Sequence, residues 1–476
     1  MSDTPPPEPT EGEMKKEEPK VTSPSRRSFM RTAGFLGAGL VVGAAAGGVA
    51  GYVFGKGSVK TPAGLKQGTG QFTIGASVST SGPTAGVVSQ EVQMYDAWVT
   101  MINNRGGVYA SDMGGYIPVK MVVLTDNGPG DPTTIRNNYT SMVSSGVDLM
   151  IGPFTAAPSE AASPVAIQNG IPYIDNQADE IPIFAQSGAS DWVFGSLDII
   201  NYWLWNYFNL LKTTDAKSIY FIDQGDDFTQ GVNGTDKYAF GGVQMAKYLG
   251  FDVLGADTIN TSLSSTFDYS TEVQTVKSAD PDVIVYSDNT AALSGLFWEA
   301  CKKASYKPRA YHPIFGDQVA FQQTTSVADQ SGITADIEWV SSSNYEGLWG
   351  LSFWNDLQTN ANFTDVNWPW LSIGYSCLEI ACEAVQVAGT TDKSSVSQAL
   401  KTMQFSNILG PWKAQNPLTQ PFSPSQILGS SSTLNPGTNM GLSINTPVQM
   451  INGNRVILWP PEFATGTYQY PQPTNW

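Results

Sequence analysis

The feature that most constrains this 476-residue chain is a regular alternation of short apolar runs with longer stretches of helical periodicity. Phe72-Thr73-Ile74-Gly75-Ala76-Ser77-Val78 predicts a first strand. A helix from about residue 90 to 103 follows, with Val92, Tyr95, Ala97, Val99 and Ile102 on an apolar stripe and Gly106-Gly107 stopping it. Residues 119–124 read as the next strand, 133–144 as a helix and 147–151 as a buried strand. The rhythm recurs at 218–222, 237–249, 283–286 and 293–304. Strands alternating with helices imply βαβ units and parallel sheets. Roughly 400 residues of such pattern exceed one core. The expected fold class is therefore α/β, with two doubly wound lobes of parallel sheet around a central cleft. Lobe 1 is assigned to 72–196 and 342–445, lobe 2 to 197–341 and 446–471. From Gly410 onward Pro, Asn, Ser and aromatic residues dominate, and Asn452-Gly453-Asn454 predicts a hairpin turn. No internal repeat is visible.

Composition narrows the function. With 42 acidic and 25 basic residues the net charge is −17. The segment up to Arg31 is balanced, so the acidity belongs to the rest. Nucleic acid is excluded as a partner, because phosphate binding needs clustered Lys and Arg. Charged residues make up only 14% of the chain, a surface suited to an acidic exterior. His312 is the single histidine, no His-Cys cluster has metal-ligand spacing, and no CxxC or nucleophile elbow occurs. An enzyme, a metal site and a cofactor are accordingly not expected. Cys301, Cys377 and Cys382 form no disulfide framework and read as buried thiols, with a pair involving Cys301 left open. Acceptor sequons at Asn138, Asn233, Asn260 and Asn362 are usable only outside the cell.

The N-terminal sixty residues carry an address. Residues 1–24 are polar and proline-rich and read as a disordered extension. Ser25-Arg26-Arg27-Ser28-Phe29-Met30-Arg31 precedes an uncharged run from Thr32 to Gly55. The pair Arg26-Arg27 with its aromatic and following cation resembles the twin-arginine export signals. An ordinary transmembrane helix after a basic pair is the alternative. Ala44-Ala45-Ala46 offers a cleavage site, and no cysteine follows to take a lipid. Residues 25–55 are thus a signal or an uncleaved membrane anchor, and 56–71 a flexible linker.

Further segments carry a resemblance. They are Ser79-Thr80-Ser81-Gly82-Pro83, Ile102-Asn103-Asn104-Arg105-Gly106-Gly107-Val108, the stretch 126–132, Ile151-Gly152-Pro153, Asn169-Gly170-Ile171-Pro172-Tyr173-Ile174, Gly410-Pro411 and the ending 459–466. In order and spacing the chain resembles the solute-binding proteins of branched-chain amino acid ABC transporters, with the type I periplasmic binding fold. The resemblance implies an extracytoplasmic receptor that closes on an amino acid or related small molecule and delivers it to permease subunits. It places a ligand carboxylate at Thr155, Ala156, Ala157 and Ser159, where Pro158 predicts a helix start whose amides favour an anion. Asp317 matches the acid that pairs with a ligand ammonium group. Gln177, Asp179, Phe228 and Asn289 fall at further cleft positions. An acid at Asp179, Ala156 in place of a serine, Val87 in place of an aromatic and Phe228 in place of a tyrosine depart from the pattern. A second carboxylate implies a more cationic ligand or a salt-bridge partner. A binder of short amides or urea, and a ligand-sensing receptor of the same fold, are the other readings. Trp339, Trp349, Trp354, Trp368 and Trp370 crowd one region as core, rim or cleft residues.

Overall fold

A computed structural model describes residues 51–55, 62–82, 84–259, 266–289, 291–339, 345–363, 369–414, 424–428, 445–461 and 464–473. The export motif, Arg26 and Arg27 included, and the extension before it lie outside the described residues, as do Asn260 and Trp368.

Six strands form the first sheet: β1 (Gly51–Phe54), β2 (Phe72–Ser79), β3 (Val119–Asp126), β4 (Leu149–Ile151), β5 (Tyr173–Asp175) and β6 (Val193–Gly195). Their spatial order is β1-β3-β2-β4-β5-β6, parallel except for the antiparallel β1. Every residue of β2 is buried, as expected of a strand covered on both faces. Helices α1 (Glu91–Asn104), α2 (Pro132–Ser144), α3 (Ala156–Gln168) and α4 (Pro369–Ala388) belong to this half of the chain or return to it. Pairing of β2 with both β3 and β4 creates a point where the strand order reverses. Ligands in α/β sheets sit at such points, outside the strands' carboxyl ends.

The second sheet holds β7 (Ser218–Asp223), β8 (Asp252–Thr258), β9 (Val283–Ser287) and β10 (Ala310–Pro313), all parallel, in the order β8-β7-β9-β10. A third, antiparallel sheet joins β11 (Thr334–Ile337), β12 (Thr446–Ile451) and β13 (Asn454–Ile457). The Asn452-Gly453 hairpin is present. Mixed α/β architecture with two parallel sheets agrees with the expected fold class.

Several family-like segments turn out to be structural. Asn103 exchanges two 2.8 Å hydrogen bonds with the backbone of Val119, tying the end of α1 to the start of β3. Gly107 has φ +90°, and a Cβ there would lie 1.9 Å from the Ile117 oxygen, so only glycine fits. Asp131 caps α2 by accepting from the Thr134 amide at 3.0 Å, with Pro132 opening the helix.

Four expectations require correction. Gly51–Phe54, read as the end of the signal or anchor, is instead β1, paired with Met121–Leu124. Tyr52, Val53 and Phe54 are strand-favouring residues hidden at the end of a longer apolar run. Of the linker, residues 62–71 are docked rather than free. Tyr116 donates to the Lys66 carbonyl at 2.9 Å, and the Gly68 and Thr69 amides reach Tyr116 and Met113 at 2.8 Å. The helix expected at 237–249 starts only at Gly242, because Gly241 packs against the backbone of Gly234 and Asp236 accepts from the amides of Tyr238 and Ala239. Asn138 and Asn233 are fully buried and hydrogen-bonded through their amides, which closes those two sequons in the folded state, whereas Asn362 is exposed.

All three cysteines are free and buried. Among the described residues one helix, 370–388 within α4, is long and apolar enough to cross a membrane; it is mostly buried against the first lobe. His312 is fully buried, stacked on Tyr207 at 3.6 Å and bonded to Thr334 and Asp336 at 2.9 and 3.0 Å. That is a packing role inside the second half of the chain.

Candidate functional site

The loops that leave the strands' carboxyl ends converge on one cleft of about 370 Å³, part of it open to solvent. After β4 the chain contributes Phe154, Thr155 and Ala156; after β5 it contributes Gln177, Ala178 and Asp179. The crossover following β6 adds Leu197, Ile200 and Trp203. From the second sheet come Phe228, Asn289 and Phe315, and from the start of α4 comes Trp370. The walls therefore belong to both sheets and to the segment that links them.

Of the residues expected from sequence, Thr155, Ala156, Gln177, Asp179, Phe228 and Asn289 line this cleft. Ala156 is the first residue of α3, so its amide stands at a helix N-terminus as anticipated. Ser159 is fully buried and donates to the Pro153 carbonyl at 3.1 Å, which makes it a brace for the loop. Ala157 is exposed and does not line the cleft. Val87 packs against the core. Asp317 is not a cleft residue either. Arg455 donates to its carboxylate and to its carbonyl, both at 2.9 Å, and Asp317 is 1% exposed. The cation that pairs with it lies 138 positions away in sequence.

Gln177 and Asp179 are held in place by other acids. Glu91, at the start of α1 and 2% exposed, accepts from Gln177 Nε2 at 2.9 Å and from Asn176 Nδ2 at 3.2 Å. Gln177 Nε2 also reaches the Trp370 carbonyl at 2.7 Å, so the amide oxygen is left for the cleft, and it has no partner in the protein. Burial pushes the Glu91 carboxyl up to about 8. Asp175, at the end of β5, accepts from the Asp179 amide at 2.6 Å; burial raises it to about 6. Asp179 is 1% exposed and one carboxylate oxygen, Oδ1, lacks a partner. Burial first, then the charge of Asp175, pushes its pKa well above the ordinary carboxylate range.

Three of these residues carry backbone strain. Thr155, Gln177 and Asp179 have φ of +72°, +72° and +39°, a region non-glycine residues enter at a cost of roughly 1–3 kcal/mol each. Strain of this kind gathers where a loop shape is imposed by function.

Of the aromatic walls, sequence reasoning reached Phe228 and left Trp370 open, but missed Trp203 and Phe315. Phe154 meets Trp370 edge-on at 5.4 Å, Trp370 meets Phe315 at 5.3 Å, and Phe315 stacks on Phe228 at 5.9 Å. Trp203 stands edge-on to both Phe228 and Phe315, at 5.1 and 5.8 Å. Of the crowded tryptophans, Trp370 alone among the described ones reaches the cleft; Trp339, Trp349 and Trp354 pack with Trp98 and Tyr375. Among the described residues no group of His, Cys, Asp and Glu is arranged to hold a metal ion.

Comparison with known proteins agrees with this architecture. A family model described as periplasmic binding protein matches residues 71–429. A solved leucine-binding protein LivK from Thermotoga maritima shares 14% identity, with 82% of this chain and 99% of that one aligned at a TM-score of 0.60. LivJ from Streptococcus pneumoniae, in complex with isoleucine, shares 16% over 82% of this chain and 100% of its own, at 0.59. A solute-binding protein of an ABC transporter from Rhodopseudomonas palustris, in complex with p-hydroxybenzoic acid, shares 15% over 85% and 98%, at 0.61. Identities this low speak for the fold. That fold is the type I periplasmic binding architecture, in a group of binding proteins rather than enzymes, and the length of the family match establishes that the chain belongs to the periplasmic binding protein family.

Proposed function

We propose that this chain is the extracytoplasmic solute-binding component of an ABC importer, which closes two lobes on a small solute and presents the closed form to permease subunits. The observation that carries the reading is the two-sided cleft: Thr155, Gln177 and Asp179 face Phe228, Asn289 and Phe315 across it. Contacts from both sides are what make a ligand favour the closed state. The solute in this reading is an amino acid or related molecule with an apolar body. Its amine pairs with Asp179, the role that the family resemblance implied for Asp317, and any anionic group meets the amide of Ala156. The arginine-pair segment directs export, and the apolar run before β1 serves as signal or tether.

A thermal-shift screen tests this, since a ligand that binds only the folded state raises the midpoint by mass action. Amino acids, short amides, small amines and aromatic acids form the panel, and X-ray scattering with the best hit reads closure as a smaller radius of gyration. Silence across the whole panel defeats the receptor reading. One second reading has support of its own: the aromatic walls suit a ring, and the Rhodopseudomonas palustris relative was solved with an aromatic acid. Asp179 opposes it, because a benzoate carboxylate would enter beside a buried acid. A midpoint rise with benzoate and none with amines decides for it.

A further inference from the structure

Among the described residues, three side-chain groups of the cleft have no partner in the protein, Asp179 Oδ1, Gln177 Oε1 and the Thr155 hydroxyl; the hydroxyl can donate or accept, the other two only accept. Asp179 and Gln177 thus present buried acceptors, and no Lys, Arg or His lines the cleft among the described residues. Buried acceptors of this sort cost about 1–3 kcal/mol each unless a donor arrives. Asn289, the remaining amide of the lining, hydrogen-bonds to Asp226 through its side chain. Phe228 and Phe315 lie parallel, at 6°, while Trp203 crosses both at 80° and Trp370 crosses Phe315 at 75°. All four rings line the cleft, and rings set at right angles to one another turn their π faces in different directions. A cation within about 6 Å of such faces is stabilised by about 0.5–2 kcal/mol, most when desolvated.

We infer that the cleft selects a small organic cation, an ammonium on an apolar or aromatic body, with Asp179 as its counter-charge and Trp203, Phe228, Phe315 and Trp370 as its cage. The inference rests on the receptor reading and sharpens it from any small solute to one charge class. The competing feature is the start of α3, where the Ala156 amide favours an anion. A helix N-terminus offers roughly half an elementary charge. Against it stand Asp179 itself and Asp175, Asp198 and Glu338, whose charges bear on Asp179. To the extent that these acids are ionised an anion is repelled, and a zwitterion gains less than a net cation.

Asp179 must be ionised to pair with the ligand, while burial and Asp175 favour its protonated form. A cation therefore displaces a proton, and its affinity rises with pH until Asp179 ionises in the empty cleft. Asp175, Asp198 and Glu338 face the same group and act in the same direction.

Calorimetry on the full chain with choline, phenethylammonium, L-leucine and benzoate, between about pH 5 and 8, tests the inference. The expected result is binding of at least one cation, stronger at higher pH with proton release, and no detectable binding of leucine or benzoate. Asp179→Asn is expected to weaken the cation by about ten- to a hundredfold, the worth of a charge-assisted hydrogen bond. Phe228→Leu, which keeps an apolar wall but removes a π face, is expected to cost about three- to thirtyfold. Leucine or benzoate binding as tightly as both cations, or an Asp179→Asn protein that keeps full cation affinity, overturns the inference and leaves the receptor reading standing. Failure of all four probes also overturns it, and the wider solute panel then decides the receptor reading separately.

Discussion

Two carboxylates sit at the carboxyl ends of strands in the same sheet and are buried to nearly the same degree, yet they do opposite things. Asp126, 3% exposed at the end of β3, accepts from Ser77 and Ser79 at 2.6 Å each and from the Gly128 amide at 2.9 Å. Asp179, 1% exposed beyond β5, keeps one oxygen without a partner and stands among other acids. The first stitches two strands and a turn together. The second leaves an electrostatic demand that only something from outside can meet. Burial alone therefore does not separate the two; what sets Asp179 apart is that it lines the cleft with an oxygen no protein donor fills.

The widest test of this contrast is pH. Glu91 and Glu379 are pushed by burial up to about 8, Asp288 to about 7 and Asp175 to about 6. Each is higher folded than unfolded, so the folded state holds more protons in between. Stability is complete below the unfolded values near 4 and falls as pH rises toward 8, at about 1.4 kcal/mol per pH unit for each group titrating in the window. Melting midpoints measured without ligand should be clearly higher at pH 5 than at pH 8. A flat or rising profile would show that these acids are solvated or paired in solution.

Next in size is Asp317→Ala. Removing Asp317, the buried partner of the half-buried Arg455, is expected to cost about 3 kcal/mol of stability, read by urea unfolding, while ligand affinity in the protein that remains folded is unchanged. A loss of affinity at preserved stability would return Asp317 to the cleft and break the contrast. The smallest effect separates the two strand-end acids directly. Asp126→Asn should destabilise by about 2–3 kcal/mol, through hydroxyl and amide donors that lose an acceptor oxygen. Asp179→Asn should leave the unliganded midpoint equal or raise it, because an uncompensated charge disappears. Equal losses in both variants would mean that Asp179 is as structural as Asp126.

The sequence made the sheets legible because their strands are continuous apolar runs bounded by turn residues, as at β2, β3, β7 and β9. It hid β1, whose four residues merge into a longer apolar stretch with no boundary of their own. In the cleft, the loops after β4 and β5, with Thr155, Gln177 and Asp179, were reached only through the family resemblance. Apart from Phe228, the rings were not. Trp203, Phe315 and Trp370 lie in three unrelated segments, and no local spacing separates a cleft aromatic from a core one. Asp317 misled for the same reason. Its neighbours in sequence say nothing of Arg455, which arrives from β13 and turns a candidate ligand partner into an internal pair.

The left-handed backbone at Thr155, Gln177 and Asp179 has a consequence for the order of events. A loop held in a costly conformation by its surroundings has little freedom left to lose. For the half of the cleft formed by these loops, the entropy of fixing the site was spent when the chain folded. A solute arriving there meets a rigid seat and surrenders mainly its own motion. In the proposed receptor the remaining loss falls on the relative movement of the lobes, which comes second. Recognition would then begin on the strained loops, with the rings of the opposite wall closing afterward, so variants of the strained residues should slow association while variants of Phe228 and Phe315 should hasten release.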